Sequence, residues 1–260
     1  MEAMATETVC AKCGGTGWII VERGHVSGAE PCECRATGRA GRLENHAQIP
    51  PLYEHASLEN FSLPGPENPI ARRELGTVLL TVKNFLRDFP NPERPGLLFI
   101  GSQGTGKTHL AVAALRGIIA KGFEGVFCDY QNLLDRIRSG YDANSNSADK
   151  EAYRMALDSE VLLLDDLGAH RVTDWVEDTV TSIITQRCNN RRALLATTNL
   201  PDGEAGLPTM QRSASGNIDY APATLAERIG PRARSRLFEM CTVIRMPLVE
   251  DYRVRKARTF

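Results

Sequence analysis

From about residue 96 onward the chain alternates short apolar runs with longer segments whose apolar residues recur every three or four positions. Leu97-Leu98-Phe99-Ile100, Val126-Phe127-Cys128, Val161-Leu162-Leu163-Leu164, Ala193-Leu194-Leu195-Ala196 and Thr242-Val243-Ile244 are the runs. Such runs, with no polar alternation, fit strands covered on both faces. Between them, 109–121 carries Leu110, Ala111, Ala114, Leu115, Ile118 and Ile119 at helical spacing. Leu133, Leu134 and Ile137 do the same in 131–140, and Val176, Val180, Ile183, Ile184 and Arg187 in 175–189. Segments 70–89, 151–157 and 225–240 also read as helical. Strands alternating with helices predict an α/β domain around a parallel sheet.

Other stretches break the pattern. Residues 36–69 read as a linker: a basic stretch with Arg35, Arg39 and Arg42, then Ile49-Pro50-Pro51-Leu52-Tyr53, then Pro64, Pro66 and Pro69. Tyr53, Leu58 and Phe61 are expected to pack on the following domain. Residues 141–150 are polar and expected to be mobile, 200–223 a long loop, and 251–258 a basic tail. This divides the chain into an N-terminal module (1–47), a strap (48–69) and a larger domain (70–260). No apolar run approaches a membrane span, and residues 1–10 lack an apolar signal core. The expected location is therefore the cytoplasm.

Charge adds an exclusion. With 31 basic and 32 acidic residues among 260, the protein is no polycation, and any nucleic-acid contact must come from local patches. Cysteines add a candidate site. Four of the seven lie early, as Cys10-x-x-Cys13 and Cys32-x-Cys34, separated by a short strand over 18–22 and a turn. In a reducing compartment such a cluster asks for a metal rather than disulfides. Four thiolates make a closed tetrahedral zinc site, and so short a module needs one to fold. His25 or His46 could replace one cysteine. Free thiols and an iron–sulfur cluster are the competing readings.

The most specific stretch is Gly101-Ser102-Gln103-Gly104-Thr105-Gly106-Lys107-Thr108, a G-x-x-x-x-G-K-T phosphate loop at a strand-to-helix turn. Glycines let successive N–H groups point at an anion, and the helix N-terminus adds positive potential. Lys107 can reach the β- and γ-phosphates of ATP, and Thr108 can place its hydroxyl on Mg²⁺. The run ending in Asp165-Asp166 delivers two carboxylates to the sheet edge where ligands bind. Asp165 would hold Mg²⁺, and Asp166 would orient or deprotonate the attacking water. Asn199, ending Thr197-Thr198-Asn199, is placed to bond a γ-phosphate or that water.

Together the phosphate loop, Leu162–Gly168 (L-L-L-D-D-L-G), Thr197–Leu200 (T-T-N-L) and Arg228–Cys241 (R-I-G-P-R-A-R-S-R-L-F-E-M-C) resemble an AAA+ ATPase. More narrowly, 48–260 resembles the DnaC/DnaI helicase loaders and the IstB transposition ATPases. The resemblance implies a five-stranded parallel sheet in order 5-1-4-3-2 and roles residue by residue. Lys107 and Thr108 match Walker A, Asp165 the Walker B metal ligand, and Asn199 sensor 1. Arg236 matches an arginine finger reaching a neighbour's ATP, with Arg232 one turn earlier as fallback, and Arg253 resembles a sensor 2 arginine. The helical pair over 131–157 falls where relatives line a single-strand DNA channel; Arg136, Arg138, Lys150 and Arg154 are its candidate contacts. The cysteine module is similar to the zinc domain with which DnaI-type loaders contact the replicative helicase.

Two departures from the wider family matter. Asp166 replaces the usual glutamate, so slow, switch-like hydrolysis is expected. A full C-terminal helical lid is not expected, because several helices of ordinary length need more residues than follow the fifth strand here. The implied function is an ATP-dependent loader of a hexameric replicative helicase onto single-stranded DNA, self-associating through ATP-bridged interfaces. An IstB-like transposition ATPase on duplex DNA and a nucleotide-gated adaptor without DNA binding are the alternatives.

Overall fold

The computed structural model describes residues 10–14, 16–23, 26–140, 147–170, 172–203, 210–212, 218–220 and 223–257. A hairpin of β1 (Trp18–Arg23) and β2 (Val26–Pro31) leads into α1 (Glu33–His46). A short 3-10 turn, Pro51–Tyr53, and an extended strap lead to α2 (Pro69–Asp88). The core then runs β3 (Gly96–Ile100), α3 (Lys107–Ala120), β4 (Gly125–Asp129), α4 (Tyr130–Ser139), α5 (Ser147–Asp158), β5 (Val161–Asp165), α6 (Asp174–Asn189) and β6 (Ala193–Thr198). A small hairpin of β7 (Met210–Arg212) and β8 (Ile218–Tyr220) follows. The chain continues with α7 (Leu225–Ile229), α8 (Pro231–Met240), β9 (Cys241–Arg245) and α9 (Tyr252–Ala257).

Five strands form one parallel sheet in spatial order β4-β5-β6-β3-β9. Numbered along the chain this is 2-3-4-1-5, the expected order read from the other edge. Alternation along β3 explains why its run is wholly apolar. Leu98 and Ile100 face a core shared with α4 to α8, while Leu97 and Phe99 face a second core shared with α2 and α3. A sheet buried on both faces leaves only the strand ends for polar chemistry.

Several boundaries differ from expectation. Residues 36–46 are helical rather than linker. α1 is mostly polar, so its periodicity is faint. It is held by tertiary contacts: Leu43 and Ala47 join the α3 core, Glu44 pairs with Arg116 at 2.6 Å, and the Phe127 N–H donates to Ala47 O at 2.7 Å. Helix α5 begins at 147, four residues earlier than its apolar pattern; 141–146 lie outside the described residues. The expected loop over 200–223 contains the β7–β8 hairpin. The expected helix over 225–240 breaks at Gly230, whose φ of +84° and Glu177 neighbour favour glycine, and Pro231 restarts it as α8.

The partners of buried Arg187 on α6 are carbonyls and a hydroxyl rather than carboxylates among the described residues. Its guanidinium donates to Ala156 O at 2.9 Å, Ser159 O at 3.0 Å and Ala193 O at 2.6 Å. It thereby ties the α5–β5 turn and the start of β6 to α6. Among the described residues no helix is long and apolar enough to cross a membrane.

Candidate nucleotide site and cysteine cluster

The phosphate loop spans the turn from β3 to α3, and Gly106 sits at its hinge with φ +90°. A side chain there would also strike Phe61 of the strap, whose ring lies 2.5 Å from the position a Cβ would take. The strap is thus seated on the loop. Phe61 meets His109 edge to face at 5.6 Å, and the His109 ring nitrogen Nε2 lies 2.9 Å from Ser57 O. From the other side, the Tyr252 N–H donates to Gly104 O at 3.1 Å, and the Asp251 carboxylate lies against Gly104. Between these walls is a cleft of about 570 Å³ lined by Gln103 to Thr108, Asp165, Asp166, Asn199 and Arg253, with Tyr53 and Phe61 at one end.

Polar groups inside the cleft form one network. Lys107 Nζ donates to Gly101 O (2.8 Å), Ser102 O (2.7 Å) and Asn199 Oδ1 (2.7 Å), which uses its three protons. Asn199 Nδ2 donates to Asp166 Oδ1 at 2.5 Å. The Thr108 and Thr197 hydroxyls donate to Asp165 Oδ1 at 2.9 and 2.7 Å, and Thr197 Oγ1 accepts the Asp166 N–H at 2.9 Å. Asp166 has a φ of +57°, which turns the chain as it leaves β5. Thr197 is an organising residue that sequence reasoning passed over; its only signal is its place two residues before Asn199. Phe61 packs on the following domain as its sequence context suggests, but its seat on Gly106 and the role of Asp251 had no signal, because both depend on long-range packing.

Burial pulls the Lys107 ammonium down to about 8, against the opposing pull of Asp166 and Asp165. Burial raises the Asp165 carboxyl, offset by the two threonine hydroxyls. Thr108 and Asp165 offer adjacent hard oxygen donors of the kind Mg²⁺ takes, and the cation would favour the charged form of Asp165. A prediction follows for Lys107. A polyphosphate beside it favours the ammonium, so ATP binding near pH 8.5 is expected to take up a proton, and near pH 6.5 Lys107 adds no uptake. Calorimetry in two buffers of different ionisation enthalpy measures this. Because the folded value lies below the unfolded one, this group's contribution to stability rises as pH climbs from about 8 toward the free-lysine value.

The remaining candidates lie apart from the cleft. Arg232 and Arg236 are exposed on α8, and Arg236 pairs with Glu239 at 2.7 Å. Arg138 stacks over Trp175 at 4.8 Å. Arg154 is exposed on α5, and Arg136 is half-buried on α4. Lys150 lies on α5 with its side chain outside the described residues.

At the other end of the chain, the sulfurs of Cys10, Cys13, Cys32 and Cys34 all lie within 4.8 Å of one another. Cys10 and Cys32 are 3.9 Å apart, and Cys13 and Cys34 are 3.4 Å apart. A tetrahedral Zn–S₄ site with ordinary bond lengths needs sulfurs about 3.8 Å apart, so the cluster fits zinc. The Gly17 N–H donates to Cys13 Sγ at 3.3 Å, an outer contact suited to a thiolate. His46 ends α1, about 18 Å along the helix axis from Cys34, so it is no ligand. His25 lies outside the described residues. The purified protein is expected to carry one zinc per chain, and cobalt exchange should give the absorption of a tetrahedral thiolate site, lost on substituting Cys32 and Cys34.

A phosphate loop between the first sheet strand and its helix, an acid-ended strand two places away and a polar-ended strand between them define a nucleotide-binding α/β domain of the phosphate-loop class. The chain belongs to the family of IstB-like ATP-binding proteins, whose model matches residues 35–207. The replicative helicase loader DnaC of Buchnera aphidicola subsp. Baizongia pistaciae is 22% identical over 179 residues, covering 69% of this chain and 70% of that protein. A crystal structure of the DnaC helicase loader superposes with a TM-score of 0.59 and 32% identity, covering 76% of this chain and all of that one. The structure of DnaI shares the fold, with a TM-score of 0.55 and 20% identity over 77% of this chain and 95% of that one.

Proposed function

We propose that this protein is an ATP-switched loader that delivers a hexameric replicative helicase to single-stranded DNA. The observation that carries the reading is the 32% identity to the DnaC helicase loader structure over that chain's whole length. ATP with Mg²⁺ would bind at the phosphate loop, with Thr108 and Asp165 holding the cation, which would neutralise charge on the phosphates. Asn199 would exchange Lys107 for the γ-phosphate. Asp166, short and held by Asn199, would orient water weakly, giving slow turnover suited to a switch. Arg236 or Arg232 would complete a neighbour's site, and Arg253, at the cleft wall, would contact the phosphates of its own.

The cysteine module would grip the helicase. The family match begins at residue 35, just after the last clustered cysteine, which supports reading the module as separate from the IstB-like core. Because α1 packs on α3, cutting the chain at 47 would damage the core, so the test uses substitutions instead. The full chain is expected to co-elute with its host's replicative helicase in ATP and Mg²⁺, and Cys32→Ser with Cys34→Ser to abolish this. No complex with the intact chain would sink the reading.

The IstB-like family assignment keeps transposition on duplex DNA as the second reading. Single-stranded DNA binding tighter than duplex binding favours the loader. Arg138→Ala and Arg154→Ala are each expected to weaken single-strand binding and to reduce the slope of log affinity against log salt by roughly 0.7. Fluorescence anisotropy across a salt series checks this.

A further inference from the structure

The loop after β6 carries Asn199 at the cleft, and three residues later Asp202. The Asp202 side chain is only 11% exposed, and both its oxygens are engaged. Oδ1 accepts from Arg234 Nη2 at 2.6 Å and Nε at 2.9 Å, and Oδ2 accepts from Arg245 Nη2 at 3.0 Å. Arg234 belongs to α8, and its guanidinium also lies 4.6 Å over the Phe238 ring. A backbone bond, Leu225 N–H to Pro201 O at 3.0 Å, fixes the same loop to α7. Solvated surface pairs contribute little, but a nearly buried carboxylate gripped by two guanidiniums is a directional clamp.

That clamp joins two ends of different purpose. Asn199 bridges Lys107 and Asp166, so a phosphate that takes the Lys107 ammonium competes with Asn199 for it. On α8, Ala233 and Leu237 point into the core, while Arg232 and Arg236, one turn apart, are exposed on the outward side. We propose that Asp202 is a positioning residue that couples the Asn199 loop to α8, so that nucleotide in one copy sets how that copy presents its arginines to the next. This rests on the reading above, in which α8 completes a neighbour's site.

The geometry predicts a defect that acts on the neighbour. Asp202→Asn leaves Arg234 and Arg245 without their carboxylate but keeps the volume. The full-length variant is expected to bind fluorescent ATP as the wild type does while losing turnover by about tenfold or more, a part of what an arginine finger supplies. Mixing it with Asp166→Asn, which keeps the phosphate loop and α8 but loses the carboxylate that orients water, should restore several-fold turnover, because a nucleotide-filled copy with an intact clamp then presents its α8 to each working pocket. Arg234→Gln breaks the clamp from the helix side and should behave the same way. Unchanged turnover in both variants would overturn the proposal. So would a loss that Asp166→Asn does not rescue, since Asp202 would then act in its own pocket or through folding. If the wild type neither hydrolyses ATP nor self-associates with it, the reading falls and the coupling with it.

Discussion

Lys107→Ala is expected to reduce ATP turnover by about two to three orders of magnitude, the usual loss for one charged donor at a phosphoryl site. The structure adds a second expectation. The ammonium is buried, pulled down to about 8, and held by two loop carbonyls and Asn199. Desolvating it costs the fold free energy. Removing it should leave the melting temperature of the nucleotide-free protein close to that of the wild type. The rise on adding ATP and Mg²⁺ should vanish, since that rise is binding free energy. Differential scanning fluorimetry with and without nucleotide measures both. A large drop in the nucleotide-free melting temperature would mean that Lys107 is mainly structural.

Arg187→Leu is expected to destabilise the fold by about 3–5 kcal/mol, with no direct effect on the cleft. The leucine would cover apolar neighbours but leave the carbonyls of Ala156, Ser159 and Ala193 buried without donors, each costing about 1–3 kcal/mol. Burial pulls the Arg187 guanidinium down to about 9, yet its carbonyl partners stabilise the charged form at neutral pH. Arg187→Lys should recover only part of the loss, because one ammonium cannot span acceptors on both the α5–β5 turn and β6. Urea unfolding at constant m-value gives the difference. A loss below about 1 kcal/mol would show that water reaches those carbonyls in the variant.

Arg187 also marks where reading the chain by pattern stops. Its position on the apolar face of the 175–189 helix is visible in the sequence, but its partners are not. They lie 6 to 31 residues away, on three elements that only folding brings together. The cysteine cluster is the opposite case. Two close pairs and a strand between them were enough to single out four cysteines whose sulfurs the fold brings within 4.8 Å of one another, because a hairpin closes over few residues. Helix α1 was missed for a third reason: a polar helix with few apolar contacts has almost no periodicity to read.

The alternation of strands and helices, the phosphate loop and the acids at the end of β5 are legible in residue order alone. Each of these is written in local spacing, where strand burial, glycine conformation and helix phase act over a few residues. How the strap and the C-terminal segment close on the loop, that Thr197 serves both Asp165 and Asp166, and that Asp202 clamps two arginines become visible in the folded chain. Those arrangements depend on which distant groups share a buried space. Hydrogen bonds and packing choose among such partners only after the sheet has formed.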